Sequence, residues 1–282
     1  MPIRDLGYRP YEGERLPPSH NMAVLLRHGL RRAWGSWLVK IAAFLGWVPT
    51  VVALALLGLR YVMEQRGAQV GALDAGQALH TLTLFQLWPF ITMVTLGAGA
   101  GVISRDLTHR AFQFYFSKPV TPTQYLVGRT SAVAIWCFFL IWLPSLITVV
   151  VLVGTAPAEL RLERLGLMLP ATLDAALIAA VCATASVGIS SLSRSRAFSM
   201  SAWLVLLFVP HVLAQIVFAV GDWPWLRLAS IPALLSIVGE ALYRIEPDSA
   251  LRWYHALPVL AGVMAGAITL AMNRLRHTQV IS

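Results

Sequence analysis

The sequence predicts an all-α polytopic membrane protein with six transmembrane helices. Of its 282 residues, 57% are hydrophobic and 12% are charged, and this charged share is about half that of an ordinary soluble domain. Several apolar runs also reach the ~20 residues that an α-helix needs to cross a bilayer. The predicted spans are at about residues 37–59, 81–103, 126–153, 165–192, 198–220 and 255–272.

The positive charge of the chain is distributed unevenly between the two sides of the predicted membrane. The side that holds the two termini contains 15 Arg and Lys residues against 4 Asp and Glu, whereas the opposite side contains 7 against 8. Because Lys and Arg accumulate in cytoplasmic loops, we predict cytoplasmic termini and a multi-pass protein of the inner (plasma) membrane. Nucleic-acid binding is disfavoured, since no basic stripe alternates with aromatic residues as a single-strand groove requires.

The first 36 residues predict a polar tail followed by an amphipathic interfacial helix. Residues 1–18 are polar and contain four prolines, and no apolar segment with a cleavage site follows them at signal-peptide distance. Residues 19–36 predict a helix with one apolar side, and the other side carries Arg27, His28, Arg31 and Arg32. A basic amphipathic helix before a span is typical of one that lies along the cytoplasmic interface. A solvated helix with scattered leucines is the alternative.

The first two spans are joined by a short outer loop at residues 60–80. Pro89 is expected to kink the second span, which ends in the run GAGAG at residues 97–101. Small residues at this spacing let transmembrane helices approach each other closely. A dinucleotide-binding loop is disfavoured, because no strand precedes these glycines.

The remaining spans are separated by short turns and by one longer outer loop. Pro144 is expected to interrupt the third span, a short outer loop covers 154–164, and the turn at 191–197 carries two arginines. The long outer loop contains an apolar run at 231–242, which is too short to span. A re-entrant or interfacial helix before the last span is therefore predicted. Residues 37–282 thus form a single transmembrane domain.

Three polar residues at membrane depth are candidates for a translocation path. Asp174 lies in the fourth predicted span, and His211 and Gln215 lie one turn apart in the fifth. An ionisable side chain in the bilayer is costly and marks a functional site by default. Structural roles are the alternative. Asp174 would then form a hydrogen bond to a neighbouring helix, or it would be hydrated near the outer interface. His211 would form hydrogen bonds to the backbone carbonyls that Pro210 leaves without a donor.

No catalytic or metal-binding motif is recognisable in the sequence. Neither of its two lysines follows a glycine, which excludes the P-loop of nucleotide hydrolases. The spacings H-E-x-x-H, C-x-x-C and G-x-S-x-G are absent as well. We therefore expect a chain that is not an enzyme and binds no metal or cofactor itself. A secondary transporter is a further alternative, although no repeated pair of broken helices supports it.

Residues 101–129 form a charged, aromatic segment between the second and third spans. Its charged residues are Arg105, Asp106, Arg110, Lys118 and Arg129. Four of its aromatic residues, of the kind that dominate interface energetics, lie within one short run: Phe112, Phe114, Tyr115 and Phe116. This composition predicts a surface for a water-soluble partner, whose orientation the charges would set. The alternative is a membrane-parallel loop whose aromatic side chains enter the lipid.

The same segment resembles the signature of ABC-2 type (type V) ABC transporter permeases. That pattern is a second helix ending in Gly-x-Ile, an acidic residue, an aromatic helical turn, Ser-x-Pro-Val, and a Gly-Lys or Gly-Arg that opens the third helix. The matching residues are Gly101 with Ile103, Asp106, Phe112 to Phe116, Ser117 with Pro119 and Val120, and Gly128 with Arg129. Two positions depart from the pattern: Asp106 replaces the usual glutamate, and His109-Arg110 stands where a glycine is common.

The resemblance implies the permease subunit of an ABC exporter, which moves an unidentified substrate with ATP hydrolysed by a separate cytoplasmic ABC ATPase. It also implies a homodimer with two ATPase copies, and ATP and Mg bound by those copies. The residues implied in ATPase coupling are Arg105, Asp106, Arg110, Phe112, Phe114, Tyr115, Phe116, Ser117, Lys118 and Pro119. A second cytoplasmic contact would involve Arg27, Arg31 and Arg32. The alternative function is a membrane anchor that couples an ATPase to envelope-complex assembly or cofactor maturation.

Overall fold

The computed structural model of the chain describes residues 20–68, 71, 73–116, 120–221, 223–247 and 250–280. In these residues all regular secondary structure is helical. The segments long and apolar enough to cross a membrane are Trp37–Gln65, Ala75–Thr108, Pro122–Gly154, Ala158–Ser190, Arg196–Gly221 and Trp253–His277. The prediction of an all-α protein with six spans is confirmed. The predicted tail lies outside the described residues, and the cytoplasmic position of the termini stays a prediction.

The α-helices of the described residues follow one another with short connections. In chain order they are α1 (His20–Trp34), α2 (Trp37–Leu45), α3 (Val48–Gln65), α4 (Ala75–Gln86), α5 (Thr92–Val94), α6 (Val102–Thr108), α7 (Phe112–Phe116), α8 (Pro122–Gly154), α9 (Arg161–Gly166), α10 (Met168–Ser190), α11 (Arg196–Gly221), α12 (Ile231–Leu242) and α13 (Trp253–Val280). Helices α2 and α3 form the first span, and α4 to α6 form the second. The third span is α8, the fourth is α9 with α10, and α11 and α13 are the fifth and sixth.

The second span begins earlier and is less regular than the sequence predicts. It begins at α4, because the Asp74 side chain accepts a hydrogen bond of 2.9 Å from the Gln77 N–H and so caps the helix. Two π-helical turns follow, at Leu87–Ile91 and Thr95–Gly99. Pro89 lies in the first of them, since a proline has no N–H for the α-helical hydrogen bond. The predicted irregularity at Pro89 is therefore found, and its form is a π turn.

The third span is one continuous helix of 33 residues. Thr121 and Gln124 bond each other's backbone N–H groups in a capping box that fixes its start. The expected interruption at Pro144 is wrong, because α8 continues through this residue. The Thr148 hydroxyl donates a hydrogen bond of 2.9 Å to the Pro144 carbonyl. The carbonyl that the proline leaves without an N–H donor is that of Leu140, one turn earlier in the helix.

The fourth span is at the centre of the molecule. Helix α10 packs against α8, α12 and α13. At Gly188 it approaches α13 so closely that a Cβ there would stand 2.6 Å from the Cβ of Ala267. The apolar run at 231–242 is a helix as predicted, and α12 packs against α4, α10, α11 and α13. Protein therefore covers most of this short helix.

The spans differ in how much of their surface other parts of the chain cover. An apolar stretch of the second span is 61% buried, whereas the corresponding stretches of the first, fifth and sixth spans are 22%, 11% and 17% buried. An exposed apolar helix face requires lipid or another protein surface around it. The first, fifth and sixth spans are therefore peripheral, and they present large apolar faces outward.

Candidate functional site

The carboxylate of Asp106 is the centre of a buried polar cluster at the end of the second span. Arg32 donates a hydrogen bond of 2.9 Å to Oδ1, and Tyr125 and Arg129 donate bonds of 2.6 Å and 3.2 Å to Oδ2. Asp106 is 3% exposed and Arg129 is 1% exposed. Hydrogen bonds that involve charged groups are about twice as strong as neutral ones. Asp106 thus joins α6 firmly to α1 and α8.

The same cluster holds the aromatic turn α7. Arg129 donates a second hydrogen bond, of 2.8 Å, to the Tyr115 hydroxyl. Its guanidinium group lies 5.8 Å and 5.5 Å from the ring centres of Tyr115 and Tyr125, within the range of a cation–π interaction. The Phe112 ring packs edge-on against Tyr125 at 5.2 Å. These contacts attach α7 to the beginning of α8.

A third set of contacts fixes α6 to the turn between α10 and α11. The Ser190 hydroxyl accepts hydrogen bonds from the backbone N–H groups of Ile103 and Ser104, at 2.8 Å and 3.1 Å. The Thr108 hydroxyl donates a bond of 2.6 Å to the Arg194 carbonyl. The first N–H groups of a helix lack partners within the helix, and Ser190 supplies one from another span. Helix α6 is therefore held from three sides.

Two glycines allow α1 to lie directly on α8. A Cβ on Gly29 would stand 2.7 Å from the Cβ of Ala132, and a Cβ on Gly128 would stand 2.9 Å from the Cβ of Leu25. Real Cβ atoms do not approach so closely, so a side chain at either position would push the helices apart. This contact places Arg32 within reach of Asp106. Gly128, the residue before Arg129, is therefore needed for the close packing of α1 on α8.

The residues predicted for ATPase coupling fall into two groups. Arg110 is exposed and Arg105 and Tyr115 are half-buried, so parts of these side chains are open to a partner. Asp106 and Phe112 are buried inside the chain and hold the segment in place instead of projecting from it. Phe114 and Phe116 belong to α7, but their side chains, like all of Ser117, Lys118 and Pro119, lie outside the described part of the chain. Their role in coupling stays a prediction.

The three arginines predicted for a second cytoplasmic contact also differ in whether they are exposed. Arg27 and Arg31 are exposed on α1, while Arg32 is bonded to Asp106. The pKa of the neighbouring His28 is lowered in this environment. Partial burial lowers its pKa from the usual 6.5, and the charges of Arg129 and Arg32 lower it further against the opposing effect of Asp106. The protonated form of His28 is therefore disfavoured.

Arg110 occupies a backbone conformation that favours glycine. Its φ is +51°, which lies in the left-handed region that costs an L-residue roughly 1–2 kcal/mol. We expect Arg110→Gly to keep or slightly raise the thermal stability of the detergent-solubilised chain, because the strain that it removes outweighs the roughly 0.5–1 kcal/mol of added chain entropy. Arg110→Val should lower stability by about 1–2 kcal/mol.

The adjacent His109 provides the control for this pair. It is equally exposed but has a φ of −87°, so His109→Val should cost clearly less than Arg110→Val. Equal melting temperatures for the two valine variants would show that Arg110 is not strained.

The three candidates for a translocation path do not lie together. Asp174 is 2% exposed on α10, next to α12. A Cβ on Gly239 would stand 2.8 Å from His80 Nδ1 and 3.5 Å from Asp174 Oδ1. On α11, His211 is bonded to the Ser230 hydroxyl at 2.9 Å, and Gln215 is exposed. The structure thus contains two separate polar sites, one at Asp174 and one at His211. A translocation path through these residues stays a prediction.

Two residues of these sites were missed by reasoning from the sequence. Tyr125 bonds Asp106, and its position one helical turn before Arg129 at the start of α8 is the pattern that could have indicated it. His80, which is 4% exposed, was placed in the outer loop because the Asp74 cap was not recognised. Both errors come from contacts or caps that hydropathy does not reveal.

A comparison with known families agrees with this arrangement. The family model described as ABC-2 family transporter protein matches residues 26–233, a range that contains most of α1, the first five predicted spans and the whole Asp106 cluster. None of the curated proteins matches the sequence. Because the match extends over well more than half of the sequence, the chain belongs to the ABC-2 family of transporter proteins, the membrane permease components of ABC transporters.

Proposed function

We propose that this chain is the permease subunit of an ABC exporter, which moves an as yet unidentified substrate with ATP hydrolysed by a separate subunit. The observation that supports the proposal most is the Asp106 cluster, which joins the segment between the second and third spans to α1 and α8. A force applied to that segment would move the attached helices with it. Coupling needs such a connection between the energy source and the spans.

The surface proposed to receive this force is the exposed side of the same segment. Thr108, His109, Arg110 and Gln113 are exposed there, and Arg27 and Arg31 of α1 add two exposed charges. We assign the ATPase contact to these side chains. The buried Asp106 and Phe112 then act as positioning residues that pass the displacement to α8.

The proposed assembly is a homodimer of this chain with two ATPase copies, which carry the ATP and Mg, in the inner membrane. The sparsely covered first, fifth and sixth spans offer apolar faces that a second copy of the chain would cover. ATP binding would draw the two ATPases together and favour a permease state open to the outside. The ligand acts through its different affinity for the two states.

The test is co-purification of the tagged chain from its host membrane in mild detergent, with ATPase activity measured on the eluate. We expect a soluble P-loop ATPase to co-elute. The double variant Arg110→Glu with Gln113→Glu should reduce the recovered ATPase at least about tenfold, because buried like or unpaired charges at an interface cost several kcal/mol.

A chemically matched control lies at the other end of the first span. Gln65 and Arg66 are exposed there, and Gln65→Glu with Arg66→Glu should leave ATPase recovery unchanged. Equal loss in both double variants, or a wild-type eluate without ATPase, would contradict the proposed contact. If the ATPase co-elutes but an envelope complex or a cofactor-bearing enzyme fails to form in a host lacking the chain, the membrane-anchor alternative is correct.

A further inference from the structure

A cavity of about 580 Å³ opens between α1, the start of α2 and the end of the second span. Four arginines line it: Arg32, Arg105, Arg129 and Arg196. The remaining lining is made of small or apolar residues and the polar Ser36. Four guanidinium groups around one cavity are an unusual concentration of positive charge beside a membrane-spanning region.

This charge is only partly neutralised by the chain. Asp106 pairs with Arg32 and Arg129. In the described part of the chain, neither Arg105 nor Arg196 is paired with a carboxylate. The buried Nε of Arg129 also has no hydrogen-bond partner among the described residues. Guanidinium groups without a carboxylate partner bind anions through charge-assisted hydrogen bonds, so an anionic ligand of Arg105 and Arg196 is expected here.

The cavity walls depend on close approaches that glycine permits. A Cβ on Gly101 would stand 2.9 Å from Cγ of Arg196, and a Cβ on Gly97 would stand 2.5 Å from the Ser36 hydroxyl. A side chain at position 101 would force the Arg196 side chain to shift from its place across the end of the second span. The predicted close packing at the GAGAG run is therefore found, and one of its results is the position of this arginine.

We propose that this cavity binds the phosphate of an anionic phospholipid. Guanidinium groups present forked donors that match phosphate oxygens, often in bidentate pairs. The volume is in the range of ordinary ligand pockets. An anionic headgroup would offset the charge of Arg105 and Arg196.

The rim of the cavity identifies the source of the phosphate as a lipid. Trp37, which lines the cavity, is 73% exposed, and Phe44 further along α2 is 71% exposed. Tryptophan concentrates at the level of lipid headgroups, and basic pockets between transmembrane helices bind such headgroups. The acyl chains would lie along the uncovered apolar face of α2. A free phosphate would make no use of this face.

The test is binding of short-chain phosphatidylglycerol to the purified full-length chain in neutral detergent, followed by its melting temperature. The lipid should raise the melting temperature in a saturable way, since a ligand of the folded state stabilises it. Short-chain phosphatidylcholine and inorganic phosphate at the same concentration should have little effect. Arg105→Gln with Arg196→Gln should weaken lipid binding at least about tenfold.

The matched control removes the same charge outside the cavity. Arg66→Gln with Arg161→Gln, both exposed and outside the cavity lining, should bind the lipid as tightly as the unchanged chain does. Equal weakening in both double variants would show a general charge effect and overturn the site. An equal shift with inorganic phosphate would overturn the lipid as its ligand.

If the Arg105 and Arg196 double variant does not fold, the exposed Arg196 alone can be changed. Arg196→Gln should weaken binding, and Arg196→Lys should restore part of it. No change in either would contradict the proposal. The measurement uses the chain without its ATPase, so its result is independent of the proposed coupling surface.

Discussion

Asp106→Asn is expected to destabilise the chain by about 3–5 kcal/mol, the cost of removing one partner of a buried ion pair. The substitution leaves the guanidinium group of Arg129, which is 1% exposed, without its carboxylate. It also removes the charge that accepts bonds from Arg32 and Tyr125. The measurement is denaturant and thermal unfolding of the purified chain in detergent.

An exposed ion pair in the same chain is the control. Arg60 and Glu64 are paired at 2.8 Å on α3, with side chains 22% and 42% exposed, and such pairs contribute about 0–1 kcal/mol. Glu64→Gln should therefore cost far less than Asp106→Asn. Adding Arg129→Met to Asp106→Asn should recover part of the loss, because the unpaired charge is then gone. Equal costs for Asp106→Asn and Glu64→Gln would refute the structural role of the cluster.

Gly188→Val is expected to separate α10 from α13 and to cost at least about 1–3 kcal/mol, the usual penalty of overpacking. A Cβ at this position would stand 2.8 Å from the Cα and 2.9 Å from the carbonyl oxygen of Ala267. The obstructing atoms belong to a helix backbone and cannot rotate away. The yield of monodisperse chain and its melting temperature should both fall sharply.

A glycine on the opposite helix gives the control. Gly266 lies beside Ala267 but has no atom within 4 Å of a Cβ placed on it. Gly266→Ala should therefore be tolerated, with a gain of about 1 kcal/mol from helix propensity. If Gly188→Val melts at the same temperature as Gly266→Ala, the contact between α10 and α13 is not as close as described.

The spans could be predicted because a bilayer imposes a length and a hydropathy that are read directly from the sequence. The ends of the spans could not be predicted in the same way, because they depend on individual helix caps such as the Asp74 carboxylate. The effect of a proline on its helix also depends on the local structure. Pro89 gives a π turn and Pro144 leaves α8 continuous, and the two residues look alike in sequence.

The candidate site was located by its charge and its motif, but its internal geometry depends on tertiary contacts. The pattern indicated Asp106 and Phe112 as parts of one segment without revealing that both are buried. Gly29 and Gly128 bring α1 onto α8 and so place Arg32 beside Asp106, and the Phe112 ring packs against Tyr125. For Asp174 the sequence leaves open a translocation path and a structural role, and in the structure both Asp174 and His80 lie next to Gly239.

The partners of Asp106 are synthesised at different times relative to Asp106 itself. Arg32 precedes Asp106 by 74 residues, and Tyr125 and Arg129 follow it by 19 and 23. During synthesis, the carboxylate emerges after one of its partners and before the other two. Until the beginning of α8 has been synthesised, Arg32 is the one partner of the three that is present. A nascent chain that ends after the second span therefore leaves Oδ2 of Asp106 without the donors from α8, and the third span completes the cluster.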